Sequence, residues 1–270
     1  MASQSSRLSR RKRGTSASLP ISLPMSLTVI PGLPEIRKGH ELPKEIALAA
    51  RRAAISLEDG DILVVAQKII SKAEGRIIHL STMQPSPRAI ALAKELSSDP
   101  RFIEVVLRES RRIVRSERVL IVETHHGFVC ANAGVDHSNV QGHDFVTLLP
   151  KNPDHSARSL ALALRKQTRK RLAVIISDTF GRPWRLGLIN VAIGASGVPA
   201  LVDLRGTRDR HRKLLRATVL AVADELASAA GLLMDKSAGT PVVVIRGYRY
   251  RFVQDPAARI IRPAKEDLFR

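Results

Sequence analysis

Three apolar runs constrain this chain more than anything else in it: ILVVA at 62–66, LAVIIS at 172–177 and PVVVI at 241–245. Each is short and rich in Val and Ile, so each reads as a buried strand and not as a helix. The segments around them carry helix-start signals. Pro43 opens KEIALAARRAA, Ser86 and Pro87 stand as N-cap and first helical residue of a helix through Leu96, and PRFIEVVLRESRR begins another after Asp99. DGDILVVAQKII reads as a turn and a strand, RVLIVET, GFVCANAG and LINVAIG as further strands, and the stretch from about Arg208 to Met234 as one long helix. PKNPDHS at 150–156 is the clearest punctuation, with Asp154 as the expected cap of SARSLALALRKQ, and it marks the expected boundary between two lobes near residue 150. No repeat or low-complexity tract interrupts the alternation, which predicts an α/β chain of mixed α+β character.

Composition sets the outer limits. A chain of 270 residues with 44% hydrophobic content can bury a sizeable core. The lone Cys130 can form no internal disulfide and no Cys-x-x-Cys pair, which fits a reducing, cytoplasmic setting. No apolar run approaches the roughly 18 residues that would span a membrane. The net charge is +19, yet residues 1–34 contain no acid, and Arg7, Arg10, Arg11, Lys12 and Arg13 sit in the opening stretch. Residues 1–24 therefore read as a disordered basic tail, with a transit peptide as the other reading, and residues 25–270 as the folded region. The +14 left outside the tail's five cations still attracts anions, and phosphorylated small molecules satisfy that as well as nucleic acid does. RGYRYRF near the C-terminus would suit RNA, but aromatic residues make up 3% of the chain and form no repeated stacking platform, which weighs against it.

Polar residues at the strand ends carry the chemistry. In SDTFGRPWRLG, Asp178 and Thr179 follow LAVIIS directly, at the carboxyl end of a strand where open α/β sheets usually bind ligands. A carboxylate beside a hydroxyl offers oxygen ligands suited to magnesium or manganese carrying phosphates; a cap for the following turn is the alternative. In CANAGVDHSNV, Asp136 follows the turn formers Asn132 and Gly134, with Ser138 and Asn139 behind it, a loop that suits ligand groups and ordinary turns alike. In AQKIISKAEGR, Lys68 and Lys72 are four apart and share a face, about 6 Å apart along a helix or about 13 Å along a strand. Either spacing spans a polyphosphate, and a solvated charged face is the alternative. Neither a Walker A motif nor GxGxxG is present, so any nucleotide is held in another way.

VAQKIISKAEGR, GFVCANAGVDHSN, SDTFGRPWR, VADELASAAGLLM and RPAKEDLFR, in this order, resemble the coenzyme F-420:L-glutamate ligases, the gamma-glutamyl ligases of the deazaflavin cofactor F-420, from about Leu33 to Arg270. The resemblance implies an unusual two-lobed mixed α/β fold, neither Rossmann nor ATP-grasp, and a homodimer. It implies a GTP-dependent enzyme with two divalent ions, Mg2+ or Mn2+, commonly helped by K+, that joins L-glutamate to the F-420 precursor and then to the growing gamma-glutamyl tail. Carried onto this sequence, the pattern puts Asp136 and Asp178 on one metal and Thr179 on the second. It puts Leu33, Pro34, Glu35 and Ile36 along the GTP, Gln67, Lys68, Lys72 and Asn139 near its base, ribose or phosphates, and Met234 to Pro241 beside the nucleotide. Arg182 and Arg185 are then placed for anionic groups in catalysis. Some positions depart from the pattern: Leu186, Leu188 and Asn190 replace polar side chains, Val219 and His40 stand where acids are usual, and Lys236 stands where some members place a glutamine on the second metal. An altered acceptor, a catalytically reduced nucleotide-binding relative and a basic RNA-binding protein are the alternatives these departures and the charge raise.

Overall fold

The three apolar runs become strands of one five-stranded sheet. The computed structural model describes residues 24–137, 144–235 and 238–267; residues 1–23 of the basic tail, Ser138, Asn139 and Lys236 lie outside the described residues. In chain order the elements are β1 (Ser26–Val29), α1 (Leu42–Arg52), β2 (Ile62–Ala66), α2 (Gln67–Ala73), β3 (Ile77–His79), α3 (Pro87–Leu96), α4 (Pro100–Arg108), β4 (Ser110–Arg115), β5 (Ile121–Thr124), β6 (Val129–Ala131) and β7 (Phe145–Thr147). They continue with α5 (Pro153–Thr168), β8 (Ala173–Arg182), β9 (Arg185–Ser196), β10 (Val202–Asp203), β11 (Val219–Leu220), α6 (Val222–Gly231) and β12 (Val242–Arg246). The arrangement is a mixed α/β fold, as the alternation predicts.

The main sheet has the order β1-β12-β2-β8-β9, with β2 and β8 parallel and every other pair antiparallel. Its two faces explain why the runs are continuously apolar. Leu63, Val65, Val174, Ile176, Val242 and Val244 face one core, closed by Ile46 and Ala50 of α1 and Leu160 and Leu164 of α5. Their neighbours Ile62, Val64, Ala173, Ile175, Val243 and Ile245 face a second core, closed by Ala223, Leu226, Ala227 and Ala230 of α6. Strands covered on both sides have no polar face to show. Burying a single Val or Ile in such a layer contributes about 1.5–3 kcal/mol. A third core, built from α3, α4 and the β5 to β7 region, gathers residues between Leu80 and Leu148, inside the long connection from β2 to β8.

Several boundaries follow from local chemistry. The Ser86 side chain accepts from the Ala89 amide 3.2 Å away, so α3 starts and ends as its caps predict. Asp99 caps α4. That helix stops at Arg108, and Ser110–Arg115 turns back as β4 to pair with β5, so the predicted helix over RESRR is too long. QKII is likewise helix and not strand, because β2 ends at Ala66 and α2 begins at once. Asp154 is not the cap of α5. Asn152 fills that role, and the Asp154 carboxylate instead accepts from the amides of Ala195 (2.8 Å), Ala257 (2.7 Å) and Ala258 (3.2 Å), tying α5 to β9 and to the C-terminal segment. The long helix from Arg208 to Met234 is replaced by a hairpin on β10 and β11 followed by the shorter α6.

Candidate active site

The parallel pairing of β2 with β8 ends at Ala66 opposite Ser177, and a cavity of about 500 Å³ opens at that point. It is lined by Leu33–Ile36 from the loop after β1, Ala66, Gln67–Ile69 and Lys72 from the β2–α2 junction, Ser177–Thr179 from β8, Asn190 from β9, and Met234, Asp235 and Gly239–Pro241 from the loop after α6. Sequence-predicted residues Leu33, Pro34, Glu35, Ile36, Gln67, Lys68, Lys72, Asp178 and Thr179 are thus brought to one wall-to-wall site. Asp178 and Thr179 belong to β8 itself, which runs on past the parallel pair as an antiparallel hairpin with β9.

Helix α2 settles the spacing of the two lysines at the helical value, about 6 Å along the axis. Lys72 is 5% exposed and its Nζ lies 2.5 Å from the Glu35 carboxylate. Lys68 Nζ lies 2.6 Å from the Asp136 carboxylate. Gln67, buried at the head of α2, accepts from the Ser71 hydroxyl at 2.8 Å, while its Nε2 is enclosed without a hydrogen-bond partner among the described residues. A buried amide donor is costly to leave unsatisfied, which marks it as a group awaiting an acceptor. Across the cavity, Asn190 donates to Ser177 Oγ (3.3 Å) and accepts from Thr179 Oγ1 (3.4 Å).

Asp136 is not part of the cavity lining, and its carboxylate meets the site through the ion pair with Lys68. Asn132, Ala133 and Gly134 all have positive φ, and a side chain at Gly134 would meet Leu149 at 2.8 Å, so the chain turns sharply there. The Asp136 backbone then pairs with Thr147 in both directions. β6, which leads into this turn, packs on β8. Burial, and then the charge of Asp178, pushes the buried Cys130 thiol of β6 up to about 12, so this cysteine stays a neutral packing group.

Not every predicted residue joins the cavity lining. Arg182 and Arg185 face each other near the tip of the β8–β9 hairpin, where Arg182 Nη2 donates to the Leu186 carbonyl at 3.0 Å. Leu186 is 99% exposed and Leu188 is also exposed, because this end of the hairpin runs beyond the packed sheet; of the three altered positions only Asn190 lines the cavity. Asn139 and Lys236 lie outside the described residues. The carboxylate of Asp235 and the hydroxyl of Ser177 also line the site, and sequence reading gave neither a role of its own.

The donor set can be tested against the divalent ions that the family resemblance implies. Among the described residues, no group of three or more His, Cys, Asp and Glu is gathered tightly enough to hold a metal by protein ligands alone. The cavity wall carries the carboxylates of Glu35, Asp178 and Asp235 and the Thr179 hydroxyl, oxygen groups of the kind that suit a magnesium-like ion completing its shell with substrate phosphates. The residues fit an ion that arrives with a nucleotide.

A family model described as F420-0:Gamma-glutamyl ligase matches residues 32–247. The chain is 45% identical over 239 residues to the coenzyme F420:L-glutamate ligase of Methanocaldococcus jannaschii, covering 86% of this chain and 95% of that protein. It is 43% identical over 250 residues to the enzyme of the same name from Methanothermobacter thermautotrophicus, covering 91% and 99%. A third relative of that name, from Methanopyrus kandleri, is 46% identical over 242 residues, covering 87% and 94%. With the family model covering the cavity lining and every strand of the main sheet except β1, and relatives alike over nearly their whole length, the chain belongs to the F420-0:gamma-glutamyl ligase family.

Proposed function

We propose that this chain is a GTP-dependent ligase that joins the amine of L-glutamate to the terminal carboxylate of the F-420 precursor through an acyl phosphate. The observation that carries the reading is the single cavity in which two lysines from α2, the Asp178–Thr179 pair of β8 and the buried donor of Gln67 converge, in a chain of this family. A carboxylate is a poor acyl donor, so an oxygen of the acceptor carboxylate first takes the γ-phosphoryl group of GTP, releasing GDP. The glutamate amine then attacks the acyl carbon, the C–O bond to phosphate breaks, and the ammonium protons lost leave a neutral amide.

Each side chain has a part in this. Lys68 and Lys72 exchange their carboxylate partners, Asp136 and Glu35, for phosphate oxygens. That exchange frees Asp136 to act with Asp178 on one divalent ion, with Thr179 on a second. When bound, such ions neutralise the charge that develops on the transferring phosphoryl group. Gln67 Nε2 supplies a fixed donor, and Met234, Asp235 and Gly239 to Pro241 of the cavity wall border the nucleotide. K+ as a supporting ion and a homodimer in solution complete the reading.

The test is the purified chain with GTP, Mn2+, K+, L-glutamate and glutamate-free F-420 precursor, followed by mass. The expected result is a product heavier by one glutamyl unit, with one GDP and one phosphate released per amide. GTP turnover with no glutamylated product would overturn the ligase assignment.

A further inference from the structure

The hairpin that replaces the predicted long helix takes no part in the cavity, yet it carries a concentrated run of cations. Between Asp203 and Thr218 it carries Arg205, Arg208, Arg210, Arg212, Lys213 and Arg216 against two acids. All six cations are exposed. The two acids are already engaged. Asp203 takes a forked pair of bonds from Arg205 (2.9 and 2.6 Å), which holds its carboxyl down at about 2. Asp209 Oδ1 accepts from the amides of His211 (2.9 Å) and Lys213 (2.8 Å), while its backbone pairs with Lys213 and Arg212. Asp209 therefore shapes the tip instead of neutralising its neighbours. Arg208 Nη1 donates to the Arg212 carbonyl at 2.6 Å, closing the turn. Arg210, Arg212, Lys213 and Arg216 are left with no acid partner among the described residues, on a tip whose backbone is already fixed.

An ordered, arginine-rich tip whose own acids are spent suits a ligand with several carboxylates, since a guanidinium meets a carboxylate by two parallel bonds. It has no Phe, Tyr or Trp on which a base could stack and only His211 as an aromatic ring, a poor stacking platform for single-stranded nucleic acid. Its position also bears on the choice. The hairpin leaves β9, which supplies Asn190 to the cavity, and returns through α6, whose far end at Gly231 abuts Asn190 and leads to Met234 and Asp235 in the cavity wall. One ten-residue helix, about 15 Å long, separates the hairpin base from the site.

Resting on the ligase reading, we propose that this hairpin is the docking surface for the free carboxylates of the growing gamma-glutamyl chain. A bond formed through the γ-carboxyl leaves the α-carboxylate of each added unit ionised. The acceptor therefore gains one negative charge per addition. With its newest carboxylate in the cavity, the older units are drawn toward the hairpin, which raises the local concentration of acceptors that already carry a tail.

The experiment compares the full chain with the triple variant Arg210→Gln, Arg212→Gln, Lys213→Gln, whose side chains make no contact that the fold needs. Tetra-γ-glutamate, free glutamate and a short single-stranded RNA are titrated onto both at low salt, and KM and kcat are measured for precursor bearing no glutamate and for precursor bearing three. The expected result is an about tenfold weaker tetra-γ-glutamate affinity, and an about tenfold higher KM for the tailed acceptor alone, with kcat and the tail-less reaction unchanged. Equal tetra-γ-glutamate binding by both proteins overturns the proposal, and so does RNA binding that the variant loses while tetra-γ-glutamate fails to compete. A wild-type chain that forms no glutamylated product overturns the ligase reading instead, a result the direct titrations distinguish.

Discussion

Two aspartates show how different the demands on one residue type can be. Asp178 stands in the cavity wall, where its charge reaches Cys130 and, in the proposed reaction, a divalent ion. Asp178→Asn keeps the shape and removes the charge, so GTP turnover is expected to fall by roughly 100-fold or more with the melting temperature little changed. Turnover measured across a Mn2+ series checks this; a normal rate at limiting metal would remove Asp178 from the metal site. Asp224, in the first turn of α6, is raised by burial while its Oδ1 accepts from the Ala192 amide at 2.8 Å. Its folded state thus holds the proton more tightly than the unfolded chain does. That contribution is full below the ordinary carboxyl range and is lost as pH rises through the raised value. Asp224→Asn keeps the acceptor without the buried charge, so it is expected to raise the melting temperature by about 1–3 °C at pH 7 and by nothing near pH 3. A gain of equal size at both pH values would show that ionisation is not the cause.

At the scale of elements, close packing between α5 and β9 leaves no room at Gly194. A Cβ there would fall 2.4 Å from the Pro153 carbonyl oxygen, which is backbone at the fixed start of α5. Gly194→Ala is expected to destabilise the chain by about 1–3 kcal/mol, seen as a lower urea midpoint with an unchanged slope. A neutral result would mean that α5 can shift as a body. This contact was illegible in the sequence, where Gly194 is one small residue inside LINVAIG. What could be read was what depends on near neighbours: the apolar runs and the Ser86 and Asp99 caps; Asp178 was read as just past a strand end, whereas β8 runs on through it to Arg182. Arg208 to Met234 misled because Arg, Lys, Leu and Ala favour helix locally, whereas Asp209 folds its neighbours into a turn that only its hydrogen bonds reveal. The spacing of Lys68 and Lys72 was open for a related reason, since the strand-to-helix change at Gln67 has no breaker to announce it. The pairing of each lysine with an acid far along the chain, Lys72 with Glu35 and Lys68 with Asp136, depends on the tertiary fold alone.

At the scale of the whole molecule, charge and fold act over different distances. The net charge of +19 attracts any anion from beyond contact range, whereas Lys72 in its 5% exposed setting acts on whatever has arrived. Salt separates the two effects, because the Debye length is about 10 Å at 0.1 M and about 3 Å at 1 M, while a buried charge is screened far less. In the proposed reaction GTP and the carboxylate acceptor are both anions. With K+ and free Mn2+ held constant, raising ionic strength from 50 to 500 mM with a tetramethylammonium salt is expected to lower kcat/KM for GTP by about three- to tenfold and to leave kcat within a factor of two. Steady-state kinetics across that series decide the matter. A fall confined to kcat/KM places the effect in encounter, where the diffuse positive field operates. An equal fall in kcat would locate it inside the cavity, and would mean that Lys68 and Lys72 are more open to solvent in the working enzyme than their burial beside Asp136 and Glu35 indicates.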